Sequence, residues 1–424
     1  MLFKNIKKIL FIIIILLCFA SCTSNKETKP TLVNSINFDH FNHLYKEIDF
    51  KGEKVGIIHI YSEYPDYKFE IEPKEGFTCI DDVSRAVVML SRYLETNEKD
   101  EEAFNKMEKL TQFVLLMQHE NGYFNNFIWN DLSINTTYKT SVAELNWWSF
   151  RALWALESVY DLLKPEQELA KRIIVASEKL IVNIRRDIPV TDLKTEFVRT
   201  IEVPTWLPQK HASDQSALLI LGLLKNYERT ADNDIKLLID VLAEGIMIMQ
   251  KGSSNKYPYG AFMSWQNLWH AWGNSQAYAL LKAGQKFNNQ TYIDSALKEI
   301  DNFYPYLLQN GFAEAFWIKK TEENSYTEIK RNSYPQIAYG LRPMIWAASE
   351  AYKYSKNEKY LKLATELELW LYGQNDAKKV MYNSATGICF DGIISSNETN
   401  KNSGAESTIE SLLIMLEIKK LKKE

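Results

Sequence analysis

The 424-residue sequence predicts an all-α fold in which six helical hairpins close into a ring. Three observations predict it: a shortage of glycine and proline, a succession of paired helix-period segments, and a helix-start signal that recurs every 56 to 70 residues. Glycine (16) and proline (11) supply about 4% and 3% of the chain, against about 7% and 5% in average usage. Turns consume both residues, so the deficit favours long helices over turn-rich β architecture. At 46% hydrophobic and 25% charged residues, the chain has enough apolar surface for a packed core, which excludes disorder over most of its length. The formal net charge of −4 leaves no electrostatic footprint for nucleic acid.

The chain begins with an export signal over residues 1–21. Lys4, Lys7 and Lys8 precede an apolar run from Ile9 to Phe19, and Ala20 and Ser21 stand before Cys22. Small residues ending at a cysteine resemble a bacterial lipobox, which implies cleavage before Cys22 and a lipid on its sulfur; Phe19 departs from the aliphatic residue usual in that motif. The alternative is an uncleaved anchor, but the run is shorter than the ~20 residues a span requires. Residues 22–36 read as a polar tether. The expected location is the cell envelope, lipid-anchored and facing the periplasm or the cell surface. Cys79 and Cys389 remain in the folded part, where an oxidising compartment permits pairing, although two buried thiols are the commoner outcome.

From residue 37 onward a single domain is expected, opening with a short irregular or β-like segment. In the first hairpin Val83, Ala86, Val87, Leu90 and Leu94 trace one helical face, the stretch 96–100 breaks it, and Phe104, Met107, Leu110, Val114 and Met117 resume it. Further pairs are predicted at 144–161 with 166–186, 214–228 with 234–250, 270–286 with 291–308, and 336–355 with 358–373, followed by a last helix over 404–421. The first member of each pair is apolar nearly all round, as in Ala217 to Leu224, and is therefore buried. The second carries a charged stripe, as in Glu101, Glu102, Lys106, Glu108 and Lys109, and faces water. Six inner and five outer helices leave one outer position open, part of which the segment from His40 to Lys46 can fill. The long connections all lead into inner helices, so they share one face with six helix N-termini and their unpaired amides.

Thr78-x-x-Asp81, Ser141-x-x-Glu144, Ser333-x-x-Gln336 and Ser403-x-x-Glu406 fit the capping box. Asp214 and His270 hold the matching places in the other two repeats. The six positions are spaced by 63, 70, 56, 66 and 70 residues, a regularity that implies a closed ring.

With these features the chain resembles the six-hairpin glycosidase superfamily, an uncharacterised bacterial lipoprotein branch of it, over roughly residues 77–421. The resemblance is carried by PheThrCysIleAspAspValSerArgAla (77–86), AsnGlyTyrPheAsnAsnPhe (121–127), ArgAlaLeuTrpAlaLeu (151–156) and AsnSerGlyAlaGluSerThrIleGlu (402–410). It implies an (α/α)6 toroid with its active site in the funnel at the inner-helix N-termini. That architecture hosts hydrolases, lyases and sugar epimerases, so activity is argued from the site.

Cleaving a glycosidic bond takes one carboxylic acid to protonate the leaving oxygen and a second carboxylate to activate water or attack the sugar. The funnel offers Asp81, Asp82, Glu144, Asp214 and Glu406. For Asp81, Glu144 and Glu406 a capping role competes with chemistry. Asp82 lies one residue past the cap partner, where a buried carboxylate is costly unless used or paired, and Arg85 is its helical neighbour. The predicted catalytic set is therefore Asp82 with Glu406 or Asp214. Helix 6 closes on helix 1, placing Glu406 near Asp82 and Asp214 farther away. His211 and His270, at predicted inner-helix starts, keep a uronate lyase or sugar epimerase in play, with Arg85, Arg199 or Arg331 stabilising charge.

Eight of the eleven tryptophans (129, 147, 148, 206, 265, 269, 272 and 317) fall in long loops or first turns, which suits stacking against sugar rings. Tyr123, Phe124, Tyr257, Tyr259 and Phe316 join that face. Asp81, Arg85, Tyr123, Glu144, Trp147, Trp148, His211, Trp265, Trp269 and His270 are the expected substrate-binding residues. No zinc spacing, EF-hand or phosphate loop occurs, so no metal and no cofactor is expected. The chain is expected to act as a monomeric glycoside hydrolase on an oligosaccharide or polysaccharide. The alternatives are a lyase, an epimerase, or a non-catalytic glycan-binding lipoprotein whose funnel carboxylates serve only as caps.

Overall fold

The computed structural model describes residues 36–322 and 325–423. The export segment, Cys22 and the tether up to residue 35 lie outside the described residues. Twelve α-helices follow: α1 (Asp39–Leu44), α2 (Ile80–Leu94), α3 (Glu101–Leu116), α4 (Trp147–Leu163), α5 (Gln167–Asp187), α6 (Ser213–Thr230), α7 (Asn233–Ile248), α8 (Gln276–Phe287), α9 (Gln290–Asn310), α10 (Ala338–Ser355), α11 (Glu358–Glu368) and α12 (Ala405–Leu421). Each even-numbered helix from α2 packs on the next even-numbered one, and α12 returns to α2, so the inner ring closes. The odd-numbered helices α3 to α11 each pack outside the inner helix that precedes them.

Side-chain chemistry sorts the two layers as predicted. Ala217 to Leu221 of α6 are all buried, whereas α5 leaves Lys171, Glu178, Lys179 and Arg186 in water. The open outer position is filled by α1, packed on α12, and by the hairpin Tyr45–Phe50/Glu53–Ile58, packed on α3. Lys51 and Gly52 turn that hairpin with φ of +50° and +82°, the mirror-image turn that matches strand twist.

The segment 270–286 departs from its prediction. Its helix starts only at Gln276, and Leu268–His270 is a strand paired with residues 315–317. Trp269 and its apolar neighbours suit a buried strand as well as a helix, and Gly273 breaks the helical path. At φ +71° its backbone lies so close to Trp147 and the Tyr339 hydroxyl that a Cβ would sit 2.8 and 2.9 Å from them. The long connections also hold β-hairpins, Thr195–Val198/Ile201–Pro204 and Ala315–Glu322/Ser325–Asn332.

Inside the ring, α2, α10 and α12 meet through two stacked ionic layers, each two helical turns apart on its helix. The upper layer joins Arg85, Glu410 and Arg342, with Arg85 Nε–Glu410 at 3.1 Å and Arg342 Nε–Glu410 at 2.6 Å. The lower joins Arg92, Glu417, Ser349 and Lys353, the last at 2.6 Å. Trp346 is sandwiched between them, 4.1 Å from the Arg92 guanidinium and 4.7 Å from that of Arg342. Burial alone would raise the Glu417 carboxyl, but Arg92 and Lys353 override it and hold the group down to about 2. Its contribution to stability is therefore full above the unfolded value near 4.3 and is lost as pH falls toward 2, a loss of about 3 kcal/mol. Glu417→Gln is expected to melt well below the wild type at pH 7 and to approach it near pH 2, read as Tm against pH.

Candidate active site

The predicted capping boxes are corrected by the structure: none of Asp81, Glu144, Gln336 or Glu406 caps a helix. The α4 N-cap is Asn146, and Ser141 instead takes the N–H groups of Asn126 and Phe127 at 3.1 and 2.9 Å. Gln336 donates to Asp376 at 2.8 Å, and α10 starts beyond it with Ile337 at its N-cap. Gly404 begins α12, leaving Ser403 on Thr408 at 3.3 Å. At α2 the cap is Cys79, whose sulfur takes the Asp82 N–H at 3.4 Å. A capping box works only in register, and each of these helices has its N-cap past the motif's first residue, at Cys79, Asn146, Ile337 and Gly404. By contrast Asp100, Asp232, Asn289 and Asn357 cap outer helices conventionally. The first-turn carboxylates of the inner helices are thereby released from capping, and the positive ends of the helices favour their charge.

Arg85 organises them. Its Nη1 binds Asp82 at 2.6 Å and its Nη2 binds Glu406 at 2.7 Å, while Nε faces Glu410. The guanidinium lies 4.6 Å above the Tyr339 ring. Arg151 makes a second bridge, 2.7 Å from Asp81 through Nε and 2.6 Å from the Tyr339 hydroxyl through Nη2; its Nη1 has no hydrogen-bond partner among the described residues. Asp81, Asp82, Arg85, Tyr339, Asp391 and Glu406 line a cavity of about 320 Å³ at the N-terminal ends of α2, α10 and α12.

Access separates the carboxylates. The Glu406 side chain is 39% exposed and that of Asp81 24%, but Asp82 only 5%. Asp82 has both oxygens engaged, Oδ1 by Arg85 and Oδ2 by the Cys79 thiol at 3.3 Å. Burial raises its carboxyl above the ordinary range against the pull of Arg85. Burial in the funnel wall also pushes Glu406 up to about 7, with Arg85 opposing and Asp82 and Glu410 adding to the rise. Glu406 is thus a carboxyl that holds its proton near neutrality and still meets funnel solvent.

Asp214 stands apart from this cavity. It pairs with His270 Nε2 at 2.8 Å, and His270 lies on a strand rather than at a helix start, stacked 3.8 Å from Trp272. His211 is held between Glu196 at 3.1 Å and the Pro204 carbonyl at 2.7 Å. Glu144 accepts from Asn146 at 3.0 Å. Several predicted sugar platforms are core instead. Trp269 is buried against Phe303 and Phe316, Trp148 donates to the Val142 carbonyl, Trp206 to Val241, and buried Tyr123 to Asp187. Their indole and phenol groups tie long loops to the helices, which needs the same residue types at the same places as sugar stacking. Trp147, beneath Arg151 at 5.4 Å, stays half-exposed beside Tyr339 and Gly273. Trp265 is exposed, but in a separate groove. Cys79 and Cys389 are both free and buried.

Two funnel residues had no mark in the sequence. Asp391, in the connection into α12, accepts from the Gly404 N–H at 2.8 Å and Ser407 at 2.7 Å, and burial raises its carboxyl. Tyr339 reads as one more apolar residue of α10. Only its place in the first turn, level with Asp81 and Glu406 in the repeat, could have pointed to it.

The closed ring is matched in solved structures. A sugar epimerase from a ruminal bacterium superposes with a TM-score of 0.62 at 12% identity, covering 92% of this chain and 97% of that one. The likeness establishes the fold, a ring of six helical hairpins. Cellobiose 2-epimerase from Bacillus thermoamylovorans B4167 gives the same TM-score of 0.62 and identity of 12%, with 90% and 95% of the chains covered. A family 76 glycoside hydrolase from a bovine Bacteroides thetaiotaomicron strain gives 0.55 at 12% identity, with 88% and 74% covered. No family model and no curated protein sequence matches the chain. This six-hairpin toroid therefore shares its architecture with both epimerases and hydrolases, and the difference between them lies in site chemistry.

Proposed function

We propose that the protein is a carbohydrate-active enzyme, specifically a glycoside hydrolase, in which Glu406 protonates the leaving oxygen and Asp81 serves as the opposing carboxylate. The observation that carries this reading is that, of the solvent-reached carboxyls on one cavity, Glu75 is tied to Tyr61 and Asp391 to Gly404 and Ser407, which leaves Asp81 and Glu406, the latter raised to about 7. Unequal pKa tuning is what separates an acid from its partner carboxylate in such a reaction. Asp82 is a positioning residue: it holds Arg85, which holds Glu406. Arg151, buried beside the funnel, positions Asp81 through its Nε, and Trp147 offers a half-exposed face for the ring. The lipid-anchored envelope location proposed from residues 1–22 would place this activity on extracytoplasmic glycans.

The epimerase reading draws on the closer fold matches and on His270. Against it, both ring nitrogens of His270 are already engaged, by Asp214 and by the Trp272 carbonyl at 2.8 Å, and His270 does not line the Asp81–Glu406 cavity.

The test is incubation of the full chain with a panel of oligosaccharides, followed by chain-length analysis. Shortened products are expected. Asp81→Asn is expected to lower kcat by at least about 10²-fold, whereas Asp82→Asn lowers it less and shifts the pH profile, because Asp82 acts through Arg85. Equal losses without any pH shift would remove the distinction between the two aspartates.

A further inference from the structure

A second groove, of about 480 Å³, opens on the face of the long connections and shares no lining residue with the Asp81–Glu406 cavity. Trp265 and Trp317 line it, with Arg199 and Lys330 beside them. Trp265 is 40% exposed, and its ring is fixed by Nε1 donating to the Gln209 carbonyl at 3.3 Å. Trp317 and Lys330 are cross-strand partners, and the Lys330 ammonium stands 4.2 Å from the indole centroid.

Arg199 arrives from a different hairpin. With Thr200 it forms the two-residue turn between Val198 and Ile201, at φ of +48° and +69°. That turn ordinarily takes Asn or Gly; a larger residue at positive φ costs about 1 kcal/mol. The guanidinium it carries is exposed and forms no hydrogen bond or ion pair among the described residues. Nearby carboxylates are already engaged, Glu196 by His211 at 3.1 Å and Glu328 by Tyr257 at 2.7 Å and Arg331 at 3.1 Å.

From this arrangement we infer that the groove binds an acidic glycan chain, its sugar rings stacking on Trp265 and Trp317 and a carboxylate or sulfate substituent held by Arg199 and Lys330. Indole faces accept the C–H faces of sugars, and a free guanidinium forks onto a carboxylate or sulfate. A neutral chain would leave the Arg199 guanidinium without a counter-charge and Lys330 with only its indole contact. The groove would hold a long acidic polymer away from the reacting centre and raise its local concentration there.

Affinity electrophoresis of the full chain in gels containing polygalacturonate, dextran sulfate or neutral dextran tests the inference. Polygalacturonate is expected to retard the wild type, with the apparent Kd weakened at least tenfold in Trp265→Ala and in the Arg199→Ala/Lys330→Ala double variant, and no retardation by dextran. Retardation by dextran sulfate alone, lost in both variants, would assign the groove to sulfated sugars and also support the inference. It is overturned if dextran retards equally, if neither anionic polymer retards, or if retardation survives Trp265→Ala and reflects charge alone. Because binding is read without turnover, this result stands or falls separately from the hydrolase reading.

Discussion

Glu406→Gln is expected to lower kcat on a cleaved glycoside by about 10²–10⁴-fold, the usual worth of a positioned general acid, with the fold retained. Glu406 is the most exposed of the Arg85-linked carboxylates, and it donates a proton only in its protonated form. With its carboxyl raised to about 7, that form predominates below pH 7 and is lost above it, so kcat/KM of the wild type falls on the alkaline side with a midpoint near 7. The glutamine variant has no such limb in its residual activity. Stability runs in the same direction. A carboxyl raised in the folded state contributes fully below its unfolded value near 4.3, and that contribution is lost as pH rises through about 7. Glu406→Gln is therefore expected to melt higher relative to the wild type at pH 8 than at pH 5. A wild-type kcat/KM that stays flat through pH 7 to 9 would contradict the assignment.

Arg85→Met is expected to cost about 3–5 kcal/mol of stability, the penalty for stripping the partner from buried charges, read as the shift in a denaturant midpoint. Arg85 is 6% exposed and serves three carboxylates. Glu410 keeps Arg342, but Asp82 keeps only its N-terminal helix position and a thiol, and Glu406 is left with no cation at hydrogen-bond distance. Since Arg85 opposes the rise of Glu406, its removal moves the alkaline limb of the remaining activity to higher pH. Arg85→Lys keeps the charge but not the fork. It is expected to recover part of the stability and to leave one of the two carboxylates unheld.

Much of the ring was legible because burial imposes periodicity. Helices α2, α6 and α12 read directly from their apolar faces, and the i, i+3 pair of Asp82 and Arg85 follows from helix geometry alone. Contacts made across the ring had no such signature. Arg151 meets Asp81, and Arg342 meets Glu410, only because the toroid closes, and nothing in their own spacing announces it. The capping motifs misled because Ser141 and Ser403 find better partners in the loops than at a helix start. Aromatic placement was ambiguous for a related reason: Trp148, Trp206 and Trp269 lie on the loop face to anchor loops, as Trp147 and Trp265 lie there with faces open to solvent.

The most direct test is time-resolved proton NMR of the anomeric region during turnover of an oligosaccharide by the full chain in D2O. The account predicts new reducing-end anomeric signals and shorter chains, both absent in Glu406→Gln. Chains of unchanged length that exchange a ring C–H for deuterium and change configuration would contradict it and assign the funnel to an epimerase.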